Sequence, residues 1–253
     1  MIKRICTNKL KNHYLAFTLS EVLITLGIIG IVAAITLPTI ISSYKKVELE
    51  NRFKKASSTI ENAVISTVTE YAMEDLLTKK SNENINATIP DELRNEMNET
   101  FSSKLNIGHI YNLKTFSIGA DPITHNANLK PVYGFLTGTQ VYPLFVYNLS
   151  QKYILNDGTS VSLMIFQTHG VHDGIKIYFD TNGAFKGPNR FGYDIFIYDT
   201  GYWNANNCSD EIYSYGCYKY AQQNINPQDN TKTYWKSLKI WVTEYYLCAK
   251  INK

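Results

Sequence analysis

Two neighbouring segments at the start of the chain each lack one sign of charge: the first has no acidic residue and the second has no lysine or arginine. Residues 1–16 contain four basic residues and no acid, and residues 17–44 contain no lysine or arginine. Without the first segment the formal net charge falls from +3 to −1. A chain of that charge lacks the net positive charge typical of a nucleic-acid-binding domain, so nucleic acid is not indicated as a partner.

Sequence motifs of the common enzyme classes are also missing. The chain has no nucleophile elbow, phosphate-binding loop or dinucleotide fingerprint, and it has no internal repeat. We therefore predict that the protein is not an enzyme, with an exported enzyme on a membrane anchor as the alternative. The 253 residues are 44% hydrophobic, which excludes a disordered chain and suffices for one or two folded domains.

The N-terminus contains a long apolar segment with a single charge. Residues 17–37 carry only Glu21, and about 20 apolar residues cross the hydrocarbon core of a membrane as a helix. Because the basic residues come first, the N-terminus is predicted to stay cytoplasmic and the rest to lie outside. A secretory signal or an ordinary signal anchor is the alternative. Neither explains Glu21, because a carboxylate costs about 2.5 kcal/mol or more near the bilayer centre.

Six residues at the start of this segment resemble the processing site of a known family. Residues 16–21 read Ala-Phe-Thr-Leu-Ser-Glu, which is similar to the site in type IV pilins and type II secretion pseudopilins. The resemblance implies that prepilin peptidase cuts between Ala16 and Phe17 and that the Phe17 amine is then methylated. Glu21 becomes the fifth residue of the mature chain. The departure is Ala16, since the family more often has glycine there.

The resemblance implies that the chain is a structural subunit of a type IV pilus or of a type II secretion filament. The implied partners are prepilin peptidase, homologous subunits, an inner-membrane assembly platform and, before assembly, membrane lipid. The implied location is the bacterial inner membrane, as a single-pass protein, and then a periplasmic or surface filament. The alternative is a minor pilin whose tyrosine-rich head is an adhesive or ligand-binding module.

Glu21 is predicted to act in assembly. The resemblance implies that its carboxylate pairs with the Phe17 amine of a neighbouring subunit. In a low dielectric this pair sets the register between subunits, because an unpaired Glu21 is penalised. Gly27 and Gly30 provide small surfaces at which neighbouring helices can approach closely.

Apolar residues recur at steps of three to four beyond the apolar segment, which predicts one long helix over residues 17–77. This stripe consists of Leu49, Phe53, Ala56, Ile60, Ala63 or Val64, Val68, and Tyr71 or Ala72. Pro38 is predicted to kink the helix rather than end it. Residues 1–16 are then a basic leader, and residues 78–253 are an extracytoplasmic head.

The head is predicted to be an antiparallel sheet packed on the amphipathic half of the helix, so the fold class is α+β. β-Branched and aromatic runs between turn residues predict three strands. These strands are Thr159–Phe166, Ile175–Phe179 and Asp194–Tyr198. Turns are predicted at residues 156–158 and 180–183. Residues 78–100 indicate a loop or a short surface helix that begins after Pro90, and residues 100–150 give no clear pattern.

The loop between two of these strands carries candidate metal ligands. Asp180, Asn182 and Asp194 flank a glycine-containing loop, and calcium prefers such oxygen ligands. The loop resembles one in some prepilin-type secretion proteins, and the major pseudopilins bind calcium in a C-terminal loop. The alternative is a hairpin turn without a cofactor, in which the side chains bind backbone groups. A second candidate group consists of His169, His172 and Asp173. A polar turn is the alternative explanation for that group.

Cysteine is scarce, and its four positions matter because the head is predicted to be exported. Cys6 lies in the leader, which leaves Cys208, Cys217 and Cys248. Export predicts one disulfide and one remaining thiol. We favour Cys208–Cys217, which closes a short loop, with Cys217–Cys248 as the alternative. Three reduced cysteines in the core are the remaining possibility.

Overall fold

A computed structural model describes most of the long helix and a large part of the head. The described residues are 18–73, 90–112, 132–133, 140–141, 151–162, 165–166, 175–183, 186–200, 208 and 217–240. Several residues singled out in the sequence lie outside this part, namely Ala16, Phe17, His169, His172, Asp173 and Cys248. The chain divides into two compact units, Met1–Ile41 and Ser42–Lys253.

Helix α1 (Leu19–Glu70) runs through the boundary between these units, and Pro38 lies inside it without ending it. Residues 18–40 are exposed along their whole length. By length and composition α1 can cross a membrane, since its most apolar window has a mean hydropathy of 2.4 and is not buried at all. A large apolar surface of this kind needs a partner, either lipid or protein.

Helix α1 ends seven residues before the predicted boundary at residue 77. The N–H of Ala72 donates to the carbonyl of Thr69 at 3.1 Å, and that of Met73 donates to Val68 at 2.9 Å. These two bonds form a Schellman motif, with Ala72 in the left-handed conformation at φ 51°. Glycine usually marks that position, so its absence hid the end of the helix from the sequence analysis.

The head contains eight described strands and three described helices besides α1. The strands are β1 (Ile107–Asn112), β2 (Val132–Tyr133), β3 (Gln140–Val141), β4 (Gln151–Leu155), β5 (Ser160–Ser162), β6 (Ile165–Phe166), β7 (Ile175–Asp180) and β8 (Ile195–Asp199). The helices are α2 (Asp91–Ser103), α3 (Cys217–Gln223) and α4 (Tyr234–Ser237). β2 and β3 pair with each other, and the other six strands form one sheet.

The six-stranded sheet is antiparallel throughout its described pairs. β1 pairs with β4, and β4 with β5. β5 and β6 pair with the two ends of β7, while β8 pairs with Lys176–Asp180 of β7. In this register Phe179 of β7 lies opposite Phe196 of β8. The predicted α+β fold class is confirmed.

The amphipathic half of α1 forms the centre of the head's core. Its buried residues are Leu49, Phe53, Ala56, Ser57, Ile60, Ala63, Val64, Thr67 and Val68. The ring centroid of Phe53 lies 4.5 Å from that of Phe196, 5.3 Å from Trp235 and 5.4 Å from Tyr218. This one side chain therefore joins the helix to β8, α3 and α4. The predicted apolar stripe is confirmed from Leu49 to Val68.

Two parts of the secondary-structure prediction need correction. α2 was expected to be a surface element, but Met97 and Phe101 on it are fully buried, because α2 supplies part of the core that α1 alone cannot fill. The strand predicted over 159–166 is described as β5 and β6, with residues 163–164 outside the described part. β7 ends one residue beyond its predicted end, and β8 both begins and ends one residue later than predicted.

Candidate functional site

Thr18 and Glu21 form a reciprocal cap at the start of α1. Oε2 of Glu21 accepts hydrogen bonds from the Thr18 backbone N–H at 2.8 Å and from the Thr18 hydroxyl at 2.9 Å. The N–H of Glu21 in turn donates to the Thr18 hydroxyl oxygen at 3.2 Å. This is the capping-box arrangement, which satisfies two donors that the first turn of a helix leaves open. It makes Leu19 the first residue of the helix.

The cap gives the Glu21 carboxylate, the single charge of the apolar segment, hydrogen-bond donors within its own chain. Both groups that donate to the Glu21 carboxylate belong to Thr18 of the same chain, so the acid is hydrogen-bonded before any second subunit arrives. The sequence analysis missed Thr18, although a threonine three residues before a glutamate and an apolar run is a known helix-start signal. The proposed cleavage site, Ala16 and Phe17, lies outside the described residues.

The loop between β7 and β8 brings together the three residues proposed as metal ligands. Asp180 is the last residue of β7 and lies opposite Ile195, the first residue of β8. The N–H of Thr181 donates to the carbonyl of Asp194 at 2.8 Å and closes the base of the loop. Strand pairing therefore brings Asp180, which ends β7, close to Asp194, which immediately precedes β8, with Asn182 two residues after Asp180.

Asp194 is fully buried and organises the far side of this loop. Its Oδ1 accepts the N–H of Arg190 at 2.6 Å, and its Oδ2 accepts the N–H of Asn189 at 2.8 Å. The side-chain amide of Asn182 also donates to Oδ2, at 3.2 Å. Burial raises the pKa of Asp194 to about 7, against the opposing effect of these hydrogen bonds. Asn189 and Arg190 were not among the predicted site residues, because they bind Asp194 through backbone N–H groups that side-chain identity does not reveal.

Asp180 and Asn182 organise the near side of the loop. Oδ1 of Asp180 accepts the N–H groups of Asn182 at 3.1 Å and Gly183 at 3.0 Å. The Asn182 amide donates a further bond to the carbonyl of Gly187 at 3.1 Å. Gly183 has φ 87°, and a Cβ there would lie 2.9 Å from the carbonyl oxygen of Gly158. Only glycine fits this position, because the conformation is left-handed and another turn packs against it.

The chemistry of the loop fits a cation in part. The buried Asn182 Oδ1 and Thr181 Oγ1 have no hydrogen-bond partner among the residues that the structure describes, and oxygen atoms of this kind are hard ligands suited to calcium. Asp194, in contrast, already accepts three N–H groups that occupy both of its oxygens. The described residues contain no cluster of three or more His, Cys, Asp or Glu side chains able to hold a metal. The hairpin-turn interpretation accounts for Asp194 and leaves the two oxygens unexplained.

Cys208 and Cys217 form a disulfide, with Cα atoms 4.5 Å apart, at the start of α3. Next to it the Tyr218 hydroxyl and the Gln222 side-chain amide each donate to Oε1 of Glu61 at 2.6 Å. Burial raises the pKa of Tyr218 well above its usual range, and the bond to Glu61 acts in the same direction. A carboxylate on α1 therefore holds α3 against it, through contacts that the sequence analysis did not foresee.

Comparison with known proteins provides evidence about the N-terminal segment that contains Thr18 and Glu21. Residues 11–37 match the family model of the prokaryotic N-terminal methylation motif. That motif is the prepilin cleavage signal of type IV pilins and pseudopilins, so the resemblance seen in the sequence is confirmed for this segment. No curated protein and no solved structure shows significant similarity to the chain.

Proposed function

From this prepilin-type signal, we propose that the chain is a structural subunit of a type IV pilus or of a type II secretion filament. The observation that carries the proposal is the position of the signal. It lies on a helix whose first half is exposed and apolar and whose second half is the core of a folded head. One element thus serves as membrane anchor, as filament core and as scaffold for the head. The proposed role is structural rather than enzymatic.

Glu21 has the properties that a contact between subunits requires. In the single chain it accepts two hydrogen bonds through Oε2, both from Thr18. An ionised carboxylate can accept about four, so the Phe17 amine of a neighbouring subunit can bind it without breaking the cap. In a low dielectric that additional pair strongly favours one register of the two helices.

Gly27 and Gly30 support packing between helices. A Cβ at either position would meet nothing within 4 Å in the single chain. Glycine inside a helix is about 1 kcal/mol less favourable than alanine, and no contact with a described residue of this chain compensates for that loss. Close approach of a neighbouring helix, which glycine permits, supplies the compensation.

Processing between Ala16 and Phe17 is the first test of the proposal. We expect N-terminal sequencing of the membrane-extracted protein to begin at a methylated Phe17, and to begin at Met1 in cells without prepilin peptidase. Ala16→Gly should be cut at least as fast, because glycine is the usual residue before the cut. A start at Met1 in peptidase-containing cells, or a start beyond Leu37, would show that the segment is not a prepilin signal.

We also propose that the β7–β8 loop binds calcium. The support comes from Asn182 Oδ1 and Thr181 Oγ1, which are buried oxygen atoms that accept no hydrogen bond from any described residue. Asp180 and Asp194 would supply the negative charge. Their carboxylate oxygens would give up some of the hydrogen bonds that they now accept and would coordinate the ion instead. This binding would order the loop and leave the rest of the head unchanged.

Thermal melting tests the calcium proposal. A fragment beginning at Ser42, the start of the second unit, should melt higher in calcium than in chelator. Calcium at 100 times its dissociation constant adds about 2.7 kcal/mol of stability. Asp180→Ala should remove the difference, whereas Asp157→Ala should keep it, because Asp157 caps a different turn through the N–H of Thr159 at 3.0 Å. Equal melting temperatures in the two buffers would leave the loop as a hairpin turn.

A further inference from the structure

The loop between β7 and β8 contains the single Asn-Gly step of the sequence, at Asn182 and Gly183. Such a step is chemically reactive, because no side chain on the glycine hinders its backbone nitrogen from reaching the side-chain carbonyl carbon of the asparagine. The left-handed conformation of Gly183 and its close approach to Gly158 require glycine at this position. The chain therefore cannot remove the reactive step by a substitution at Gly183 without straining the loop.

The reaction open to this step is deamidation, which consumes only water. The backbone nitrogen of Gly183 attacks Cγ of Asn182 and loses its proton, the bond from Cγ to the side-chain nitrogen breaks, and ammonia leaves. Water, which reaches the half-buried Asn182, then opens the cyclic imide. The product is aspartate or its isomer isoaspartate, in which the main chain runs through the side-chain carbon. Either product introduces a carboxylate in place of a neutral amide.

The folded loop holds both reacting groups in hydrogen bonds. The side-chain amide of Asn182 donates to the carbonyl of Gly187 at 3.1 Å and to Oδ2 of Asp194 at 3.2 Å. The N–H of Gly183, the attacking group, donates to Oδ1 of Asp180 at 3.0 Å. Because the reaction displaces the amide and removes this N–H proton, the bonds must open first, and each of them stabilises the closed loop. The closed loop therefore slows deamidation.

The product would place a second carboxylate next to Asp194. The side-chain nitrogen of Asn182 lies 3.2 Å from Oδ2 of Asp194, which is fully buried. An ionised oxygen in place of that nitrogen donates no hydrogen bond and repels the carboxylate of Asp194. The carbonyl of Gly187 would lose the same donor. Deamidation would thus replace two stabilising contacts with repulsion.

We propose that Asn182 is a site of spontaneous deamidation that the closed β7–β8 loop protects, and that its conversion opens the loop. A first opening exposes the Asn-Gly step, and the charge that the reaction introduces then opposes closing. The change is covalent, so refolding does not reverse it, and it accumulates with the age of the protein. The inference rests on the loop alone, and neither on the proposed filament nor on calcium.

Peptide mapping of the full-length chain in detergent measures the reaction at neutral pH. Trypsin releases residues 177–186, in which Asn182 is the single asparagine, so a newly formed acid in this peptide is assigned to that position. We expect the folded chain to deamidate at least about tenfold more slowly than the same chain in denaturant, since several hydrogen bonds must open first. This comparison needs no variant, so it does not depend on the folding of one.

Two variants test whether the loop's own hydrogen bonds give the protection. Asp180→Ala frees the N–H of Gly183 and should remove much of the difference between the folded and the denatured chain. Asp229→Ala is the matched control, because Asp229 caps a turn between α3 and α4 through the N–H of Thr231 at 3.1 Å. It should leave the rate in the folded chain unchanged.

The consequence for the loop is tested with the product itself. Asn182→Asp introduces the carboxylate without the reaction, and Asn182→Ala removes the same donor without adding charge. We expect the backbone amides of residues 181–194 to exchange hydrogen faster in Asn182→Asp than in Asn182→Ala, because only the aspartate repels Asp194. Mass spectrometry of the exchanged peptides measures this difference.

Any of three results would overturn the proposal. They are equal rates of deamidation in the folded and denatured chain, equal acceleration by Asp180→Ala and Asp229→Ala, and equal exchange in Asn182→Asp and Asn182→Ala. The first two would show that the loop gives no specific protection, and the third that the new charge does not open it. None of them changes cleavage at Phe17 or filament yield, so failure of this site and failure of the filament proposal give different results.

Discussion

Replacing Glu21 with alanine is expected to reduce filament yield more than about tenfold while the head stays folded. The substitution removes the carboxylate that the Phe17 amine of a neighbouring subunit is proposed to meet, and breaking a buried pair costs about 3–5 kcal/mol. It also removes the bond by which Glu21 caps the N–H of Thr18. Residence in the membrane should not suffer, since an apolar side chain is cheaper there than a carboxylate.

The measurement is the amount of sheared or secreted filament relative to the subunit in the membrane. Glu50→Ala is the matched control, because Glu50 lies on the same helix in the head and, within the described part of the chain, pairs only with exposed Lys54. Thr18→Ala separates the two roles of Glu21, since it removes the two cap bonds of the Thr18 hydroxyl and keeps the carboxylate. Normal filament yield from Glu21→Ala cells would refute the pairing between subunits.

Replacing Asp194 with alanine is expected to destabilise the head by about 3 kcal/mol or more. The carboxylate accepts the N–H groups of Asn189 and Arg190 and the amide of Asn182, and each buried donor left unsatisfied costs about 1–3 kcal/mol. Asp194→Asn keeps the size and one acceptor oxygen, so it should lose less. Chemical denaturation of the fragment beginning at Ser42 measures the loss of unfolding free energy in each variant. If Asp194→Ala is as stable as the parent fragment, the loop does not depend on this acid.

The pH dependence of stability provides a second test of Asp194. Burial raises its pKa to about 7 in the folded head, whereas an unfolded aspartate titrates near 3.9. Between those values the folded state binds more protons than the unfolded state, so this group's contribution to stability falls as pH rises from about 4 to about 7. In Asp194→Asn the side chain cannot titrate, so the unfolding free energy of this variant should fall less between about pH 4 and pH 7. Bound calcium should make this fall smaller too, because the ion favours the ionised carboxylate.

The long helix and the strands with strong local patterns could be predicted from sequence. The stripe from Leu49 to Val68 has helical spacing over several turns, and β7 and β8 consist mainly of β-branched and aromatic residues. β4 was missed because its sequence, Gln-Lys-Tyr-Ile-Leu, begins with two polar residues. Its status as a strand depends on pairing with β1, which lies about forty residues away in the chain, and no short window of sequence contains that information.

The residues of the candidate sites also divide into those that a short window of sequence could predict and those that it could not. Glu21 could be identified because a lone acid in an apolar segment is physically costly. Glu61 could not, because it is one of several acids on the polar face of α1. It is distinguished only by Tyr218 and Gln222, which are more than 150 positions away in the sequence. Thr18 is an intermediate case. Its helix-start signal, a threonine three residues before a glutamate, is local in the sequence, so Thr18 could have been predicted but was not.

The position of Phe53 on the anchoring helix has a mechanical consequence. In the proposed filament, tension would enter each head through the backbone of α1, and Phe53 joins that helix to aromatic side chains from β8, α3 and α4. The helix lies in the core, so a pull along its axis shears many buried contacts at once and does not peel them apart one after another. We therefore expect the head of the proposed subunit to yield to force only when the whole core fails.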